Sequence, residues 1–242
     1  MSCEVSEAAA TVAAVDIDWE NVAARVAALA EHPGAVKVFG AGAHGFVLEP
    51  PLSGAELAEL EAQLGVGLPE DYRGFLLRAG RGGAGPSYGI FPLRRGPDGW
   101  HWEGDGADMT ETARLREPFP EPVDGLAALH AGQPDEEDFP DAESFDAAYE
   151  AWRTRLEDVL WTNERTVGAI CLCHHGCAQR EWLVVSGPER GTVWTDPRAD
   201  YDDLAPRAAE DGGRTTFGAW YLAWLAEAEA EAEAGSGVRP RH

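Results

Sequence analysis

Apolar Val22, Val26 and Leu29 recur at i, i+4 and i+7 behind Asp18, a candidate cap, and Pro33-Gly34 follows, so the spacing predicts a helix over 18–31. A short β-rich run at 36–39 comes next and is broken by the glycines of 40–45. Ser53 opens a second helix in which Leu57, Leu60 and Leu64 share a face. Glu56 stands three residues after that serine, as a capping box requires, and Gly65 and Gly67 close the run. Leu68-Pro69-Glu70-Asp71-Tyr72 starts a third helix, with proline at an N1-like position and acids on the positive end of the dipole; it stops near Gly80.

After the flexible Gly82-Gly83-Ala84-Gly85-Pro86, the run Tyr88-Gly89-Ile90-Phe91-Pro92-Leu93 reads as a strand that its proline confines to an edge or a bulge. Trp100 and Trp102 alternate around His101, which predicts a second strand. Residues 103–141 are rich in Pro, Gly and acids with little periodicity, the pattern of a long, partly ordered insertion. Phe145, Tyr149, Trp152, Leu156 and Leu160 return to helical spacing, with Ser144 as the candidate cap. Three strand-like runs follow at 167–173, 181–186 and 192–195, and the short loop at 187–191 makes the last two antiparallel. A final helix places Phe217, Trp220, Tyr221, Trp224 and Leu225 on one face, then is expected to dissolve into Glu-Ala alternation and a flexible tail over 227–242. The pattern is that of an α+β fold, an antiparallel or mixed sheet packed with N-terminal and C-terminal helices.

Composition narrows the function. At 44% hydrophobic, 242 residues can bury a real core, and 19 basic against 43 acidic residues leave a net charge of −24. Such a field repels phosphate backbones and anionic lipid heads, so neither nucleic acid nor membrane is an expected partner. The one lysine, Lys37, precedes rather than follows glycines, which excludes a Walker phosphate loop and leaves no plausible Schiff-base lysine. Acids at the amino terminus and the lack of an apolar run of ~18 residues point to the cytoplasm. Cys3, Cys171, Cys173 and Cys177 are not spaced as a disulfide framework, so reduced thiols are expected.

Several motifs suggest chemistry that their context does not support. Gly40-x-Gly42-x-x-Gly45 is half of a dinucleotide fingerprint, but it leads into an extended, proline-stopped stretch instead of a helix. Gly85-x-Ser87-x-Gly89 matches a hydrolase elbow, yet glycines precede the serine and a strand follows it, the reverse of what an elbow needs. Cys171-x-Cys173-His174-His175-x-Cys177 gathers zinc-type ligands, but no second distant pair exists and packing is the better reading, so no metal or other cofactor is expected. Asp196-x₃-Asp200-x-Asp202-Asp203 lacks the central glycine and closing glutamate of a calcium loop. The acidic run Asp135, Glu136, Glu137, Asp138 and Asp141 is interleaved with Phe139, the kind of anchor interfaces use. These six, with Trp100 and Trp102, are the candidate binding residues, although two tryptophans in this setting more often belong to a core face.

Taken as an ordered set, the Leu68 to Leu77 helix start, the 82–86 loop, the 88–93 run, Gly176-Cys177, Leu183-Val184-Val185-Ser186-Gly187, Gly191-Thr192-Val193-Trp194 and the aromatic helix from Phe217 to Leu225 resemble the SUKH superfamily. That superfamily includes a fungal cell-wall synthesis regulator and bacterial immunity proteins that neutralise toxins delivered between neighbouring cells. The resemblance implies a helical extension over 1–52, a SUKH-like domain over 53–226 with an acidic insertion near 103–143, and a tail. It also implies a domain that binds a protein partner and does no chemistry, with no catalytic residues to carry over. The expected partner is a basic toxin domain such as a nuclease; the alternative is an intracellular scaffold binding endogenous proteins.

Overall fold

The structure, a computed structural model, describes residues 17–209 and 212–236. Cys3 and the acidic amino terminus lie outside the described residues. Helix α1 (Trp19–Ala30) begins where the Asp18 carboxylate accepts the Asn21 N–H, and it buries Trp19, Val22, Val26 and Leu29. The run expected as a strand at 36–39 is instead a 3-10 turn, Ala35–Lys37, followed by the four-residue helix α2 (Ala41–His44). The cause is close packing. A Cβ on Gly34 would stand 1.9 Å from the Ala232 carbonyl oxygen, and one on Gly40 (φ +81°) would stand 1.5 Å from that of Ser87. The segment therefore hugs its neighbours and pairs with no strand.

Helix α3 (Gly54–Leu64) carries the expected capping box between Ser53 and Glu56, and buries Leu57, Leu60 and Leu64. Helix α4 (Glu70–Arg78) has Pro69 as its cap residue and buries Tyr72, Phe75 and Leu76. Strands β1 (Leu93–Gly96) and β2 (Gly99–Trp102) form an antiparallel hairpin. β1 starts later than the 88–93 run suggested; before it only Ile90 bridges to Gly83, and the Phe91 N–H donates to the Leu172 carbonyl. The main sheet is wholly antiparallel, in the order β3 (Ala169–Gly176), β4 (Gln179–Val184), β5 (Val193–Asp196), β6 (Ala205–Pro206).

The insertion is ordered. Short turns lead to α5 (Leu126–Ala131), and α6 (Ala142–Leu160) is capped by Asp141, whose carboxylate accepts the Ser144 N–H. Leu126, Trp152, Leu156 and Leu160 make a small core of their own with Val123, Leu129, Tyr149 and Tyr201 against it. The Trp152 indole donates to the Leu129 carbonyl at 2.8 Å, which ties α6 to α5. The bidentate Arg165–Asp203 pair, at 2.7 Å, joins this lobe to the loop after β5.

The final helix, α7 (Phe217–Gly235), does not dissolve at the Glu-Ala alternation. Ala and Glu are strong helix formers, Ala228 and Ala232 are buried, and Glu229 makes a bidentate pair with Arg25 of α1. The main core joins both ends of the chain: the Trp19 ring meets Phe75 edge-on at 5.5 Å and lies 6.0 Å from Phe217 and 5.9 Å from Tyr221.

Candidate binding surface

The eight binding residues expected from the sequence fall in two places. Trp100 and Trp102 are 3% and 5% exposed and belong to the core. The Trp102 indole donates to the Tyr72 hydroxyl at 3.0 Å, and the Trp100 backbone is held on both sides by the Gln63 amide at 2.7 Å. Neither ring can meet a partner without the fold opening, so both are corrected to core residues. Their alternation around His101 was a strand signal: on β2 the two indoles point inward and the imidazole outward.

The other six cluster on the lobe. Asp135, Glu136, Glu137 and Asp138 are all exposed on a 3-10 turn, and among the described residues none of the four makes an ion pair. Asp135 accepts the Glu137 N–H and so holds the turn's shape. Phe139 is half-buried and stands edge-on to Phe145 at 5.9 Å; the rings continue through Tyr149 at 5.8 Å to Trp152 at 5.2 Å. Phe139 is thus the outer end of an aromatic ladder that fixes the acidic turn to the small core. Asp141 is exposed but committed to capping α6, and the Ser144 hydroxyl and N–H hold its carboxyl below the usual carboxylate range.

A second surface was not expected. A groove of about 850 Å³ runs beside α7, and its lining includes Phe39, Ser87 and Arg207. Phe39 on its lining and Tyr88, next to the lining residue Ser87, are both exposed, and their rings meet edge-on at 5.4 Å. Only folding brings 38–39, 86–87, 207–209 and α7 together. The one sequence signal was an apolar run too short and too glycine-bound to pair as a strand.

Ser87, the serine of the elbow-like motif, also lines this groove and has φ +55°. Its hydroxyl hydrogen-bonds His175 Nδ1, and His175 Nε2 lies 3.2 Å from Oε1 of Glu181 but out of hydrogen-bond alignment. Glu181 is fully buried and already paired with Arg207 at 2.7 Å, with the Thr195 hydroxyl 3.3 Å from its other oxygen. The Ser87–His175 hydrogen bond therefore staples the 86–89 loop to β3, while the Glu181–Arg207 pair joins β4 to the residue after β6. A Gly-rich approach precedes Ser87 and a single bridge follows it, so the strand-to-helix geometry of a nucleophile elbow is absent.

The remaining motifs resolve into packing. Cys171 and Cys173 are buried on β3, where a bulge shifts the register between them, and burial pushes both thiols well above their ordinary range. Cys177 is exposed in the turn that follows. No group of three or more His, Cys, Asp or Glu among the described residues is placed to hold a metal. Asp196 accepts from the Trp182 indole at 2.9 Å and pairs with Arg198 at 2.6 Å, an internal role in place of a cation loop. Gly40 and Gly45, both left-handed, bracket α2 and turn the chain.

Among comparisons with known proteins, the family model of the SMI1 / KNR4 family (SUKH-1) matches residues 51–195. No curated protein and no solved structure matches the chain.

Proposed function

Because the chain belongs to the SMI1 / KNR4 family (SUKH-1), a generally non-catalytic family whose members point to protein–protein interaction, we propose that it is an immunity protein that captures a basic toxin domain, such as a nuclease. The observation that carries this reading is the turn at 135–138, four exposed carboxylates without cationic partners among the described residues. A toxin that acts on nucleic acid must present a positive cleft. A chain of net charge −24 steers toward such a cleft, with association rates up to about 10⁸–10⁹ M⁻¹s⁻¹ at low salt. Phe139, at the end of its aromatic ladder, supplies an apolar contact beside the charges. Binding of this kind needs no turnover, cofactor or metal. No described helix is long and apolar enough to cross a membrane, and the proposed site of action is the cytoplasm, where an incoming nuclease meets its substrate.

The test pairs the purified chain with basic nuclease domains encoded beside its gene. Binding should block nuclease activity, and its association rate should fall steeply with added salt. Association that ignores salt, or a partner of acidic character recovered in place of a toxin, would sink the reading and favour a regulatory scaffold.

A further inference from the structure

We propose that the groove beside α7 is the anchoring part of the interface and that it takes an amphipathic helix bearing lysine or arginine from the partner. The inference rests on the protein-binding reading above and adds to it a second surface with its own chemistry.

Length comes first. The groove follows α7 from Ala219 to Glu231, twelve residues on, and at 1.5 Å per residue that is about 18 Å, or three helical turns. The shape suits a helix as well. Ala219 and Ala223 present methyl groups on the groove wall, so a partner backbone can come close, while Trp220 and Trp224 form a mostly buried floor. Helix-in-groove recognition uses such a trough, with anchors one turn apart.

The lining also carries exposed apolar surface. Isolated exposed hydrophobics are ordinary, but here Phe39, on the lining and 58% exposed, meets the exposed Tyr88 ring edge-on at 5.4 Å. Charge then selects the partner's sign. Glu227 and Glu231 lie one turn apart on the groove face of α7 and are exposed. Neither makes an ion pair among the described residues. Arg207, also on the lining, is neutralised by Glu181. The uncompensated charge of the groove is negative, so it favours a cationic helix over an acidic one and over a second copy of this acidic chain.

The probe is a fluorescein-labelled 18-residue Leu/Lys amphipathic helix, with a Leu/Glu peptide of the same pattern for contrast, read by fluorescence anisotropy. Any acidic surface attracts a cationic peptide, so the decisive comparison is between variants. Ala223→Trp fills the trough at an exposed position, and the double change Glu227→Lys, Glu231→Lys reverses its charge. Each should weaken the Leu/Lys peptide by about tenfold or more, whereas Asn at 135 and 138 with Gln at 136 and 137 should leave its affinity nearly unchanged. The Leu/Glu peptide should not bind. Equal binding to wild type and both groove variants would overturn the proposal, as would comparable binding of the Leu/Glu peptide. A concentration-dependent dimer in sedimentation, abolished by Ala223→Trp, would make a second copy the occupant and likewise overturn it. If a toxin domain binds and responds only to the 135–138 changes, the immunity reading stands and the groove inference alone fails.

Discussion

In the four-stranded sheet each buried carboxylate is committed. Glu181 holds Arg207, and Asp196 holds Arg198 and the Trp182 indole. On the turn at 135–138, four carboxylates face water and pair with nothing described. The same functional group thus does two different jobs. A buried carboxylate is fixed by its partners and contributes to the fold only while they remain. An exposed one contributes almost nothing to the fold and is available to an incoming charge. A net charge of −24 therefore does not say where a partner would feel it, because the committed acids are cancelled by their own arginines and the carboxylates of the turn are not.

The sharpest way to break that contrast is Asp196→Ala. It strands the Arg198 guanidinium, which is 2% exposed, and should cost about 3–5 kcal/mol, read as a drop in the urea midpoint. A loss under 1 kcal/mol would mean that the pair is not what orders this corner. Next comes acid. Glu49 sits half-buried between Arg94 and Arg81, and the hydrogen bond from Arg94 holds its carboxyl below the ordinary value of 4.5. Its folded-state pKa is depressed, so its contribution is present above about pH 4.5 and fades as pH falls through the folded value. Glu49→Gln should cost about 1 kcal/mol or less at pH 7 and nothing near pH 2, and urea titrations across that range would show the two curves converge. Neutralising 135–138 should move stability by no more than ~0.5 kcal/mol while slowing capture of a basic partner; a marked loss of stability would show those acids to be structural after all.

The smallest effects concern the reactive side chains. Iodoacetamide should modify Cys177 in the native protein and reach Cys171 and Cys173 only after unfolding, which peptide mapping by mass spectrometry would resolve. A fluorophosphonate should leave Ser87 unlabelled, and labelling that disappears in Ser87→Ala would turn the staple into a nucleophile.

Much of this architecture could be read from periodicity. α1, α3 and the α6 pattern follow from apolar spacing, α4 from the proline and acids at its start, and the Ser53–Glu56 box sits where its motif lies. The failures have tertiary causes. The 36–39 run cannot extend, because Gly34 and Gly40 press it against α7 and the Ser87 loop. The Glu-Ala stretch looked like a dissolving end, yet Arg25, more than two hundred residues away in sequence, grips Glu229. The insertion read as loose because its apolar residues serve a separate small core that Tyr201 helps to cover. The acidic turn was legible as charge, and the groove was not, since its lining comes from 38–39, 86–87, 175, 207–209, 215 and α7, far apart in sequence.

The aromatic cluster at the centre of the molecule has a practical consequence for anyone who trims the gene. The match to the family model starts after α1 and stops before α7, whereas Phe75 nests between Trp19 of the first helix and Phe217 and Tyr221 of the last. A fragment cut at the limits of that match would lose both jaws of the clasp and leave Phe75 with only Tyr72 of its ring partners, so the shortest version worth expressing must retain both helices.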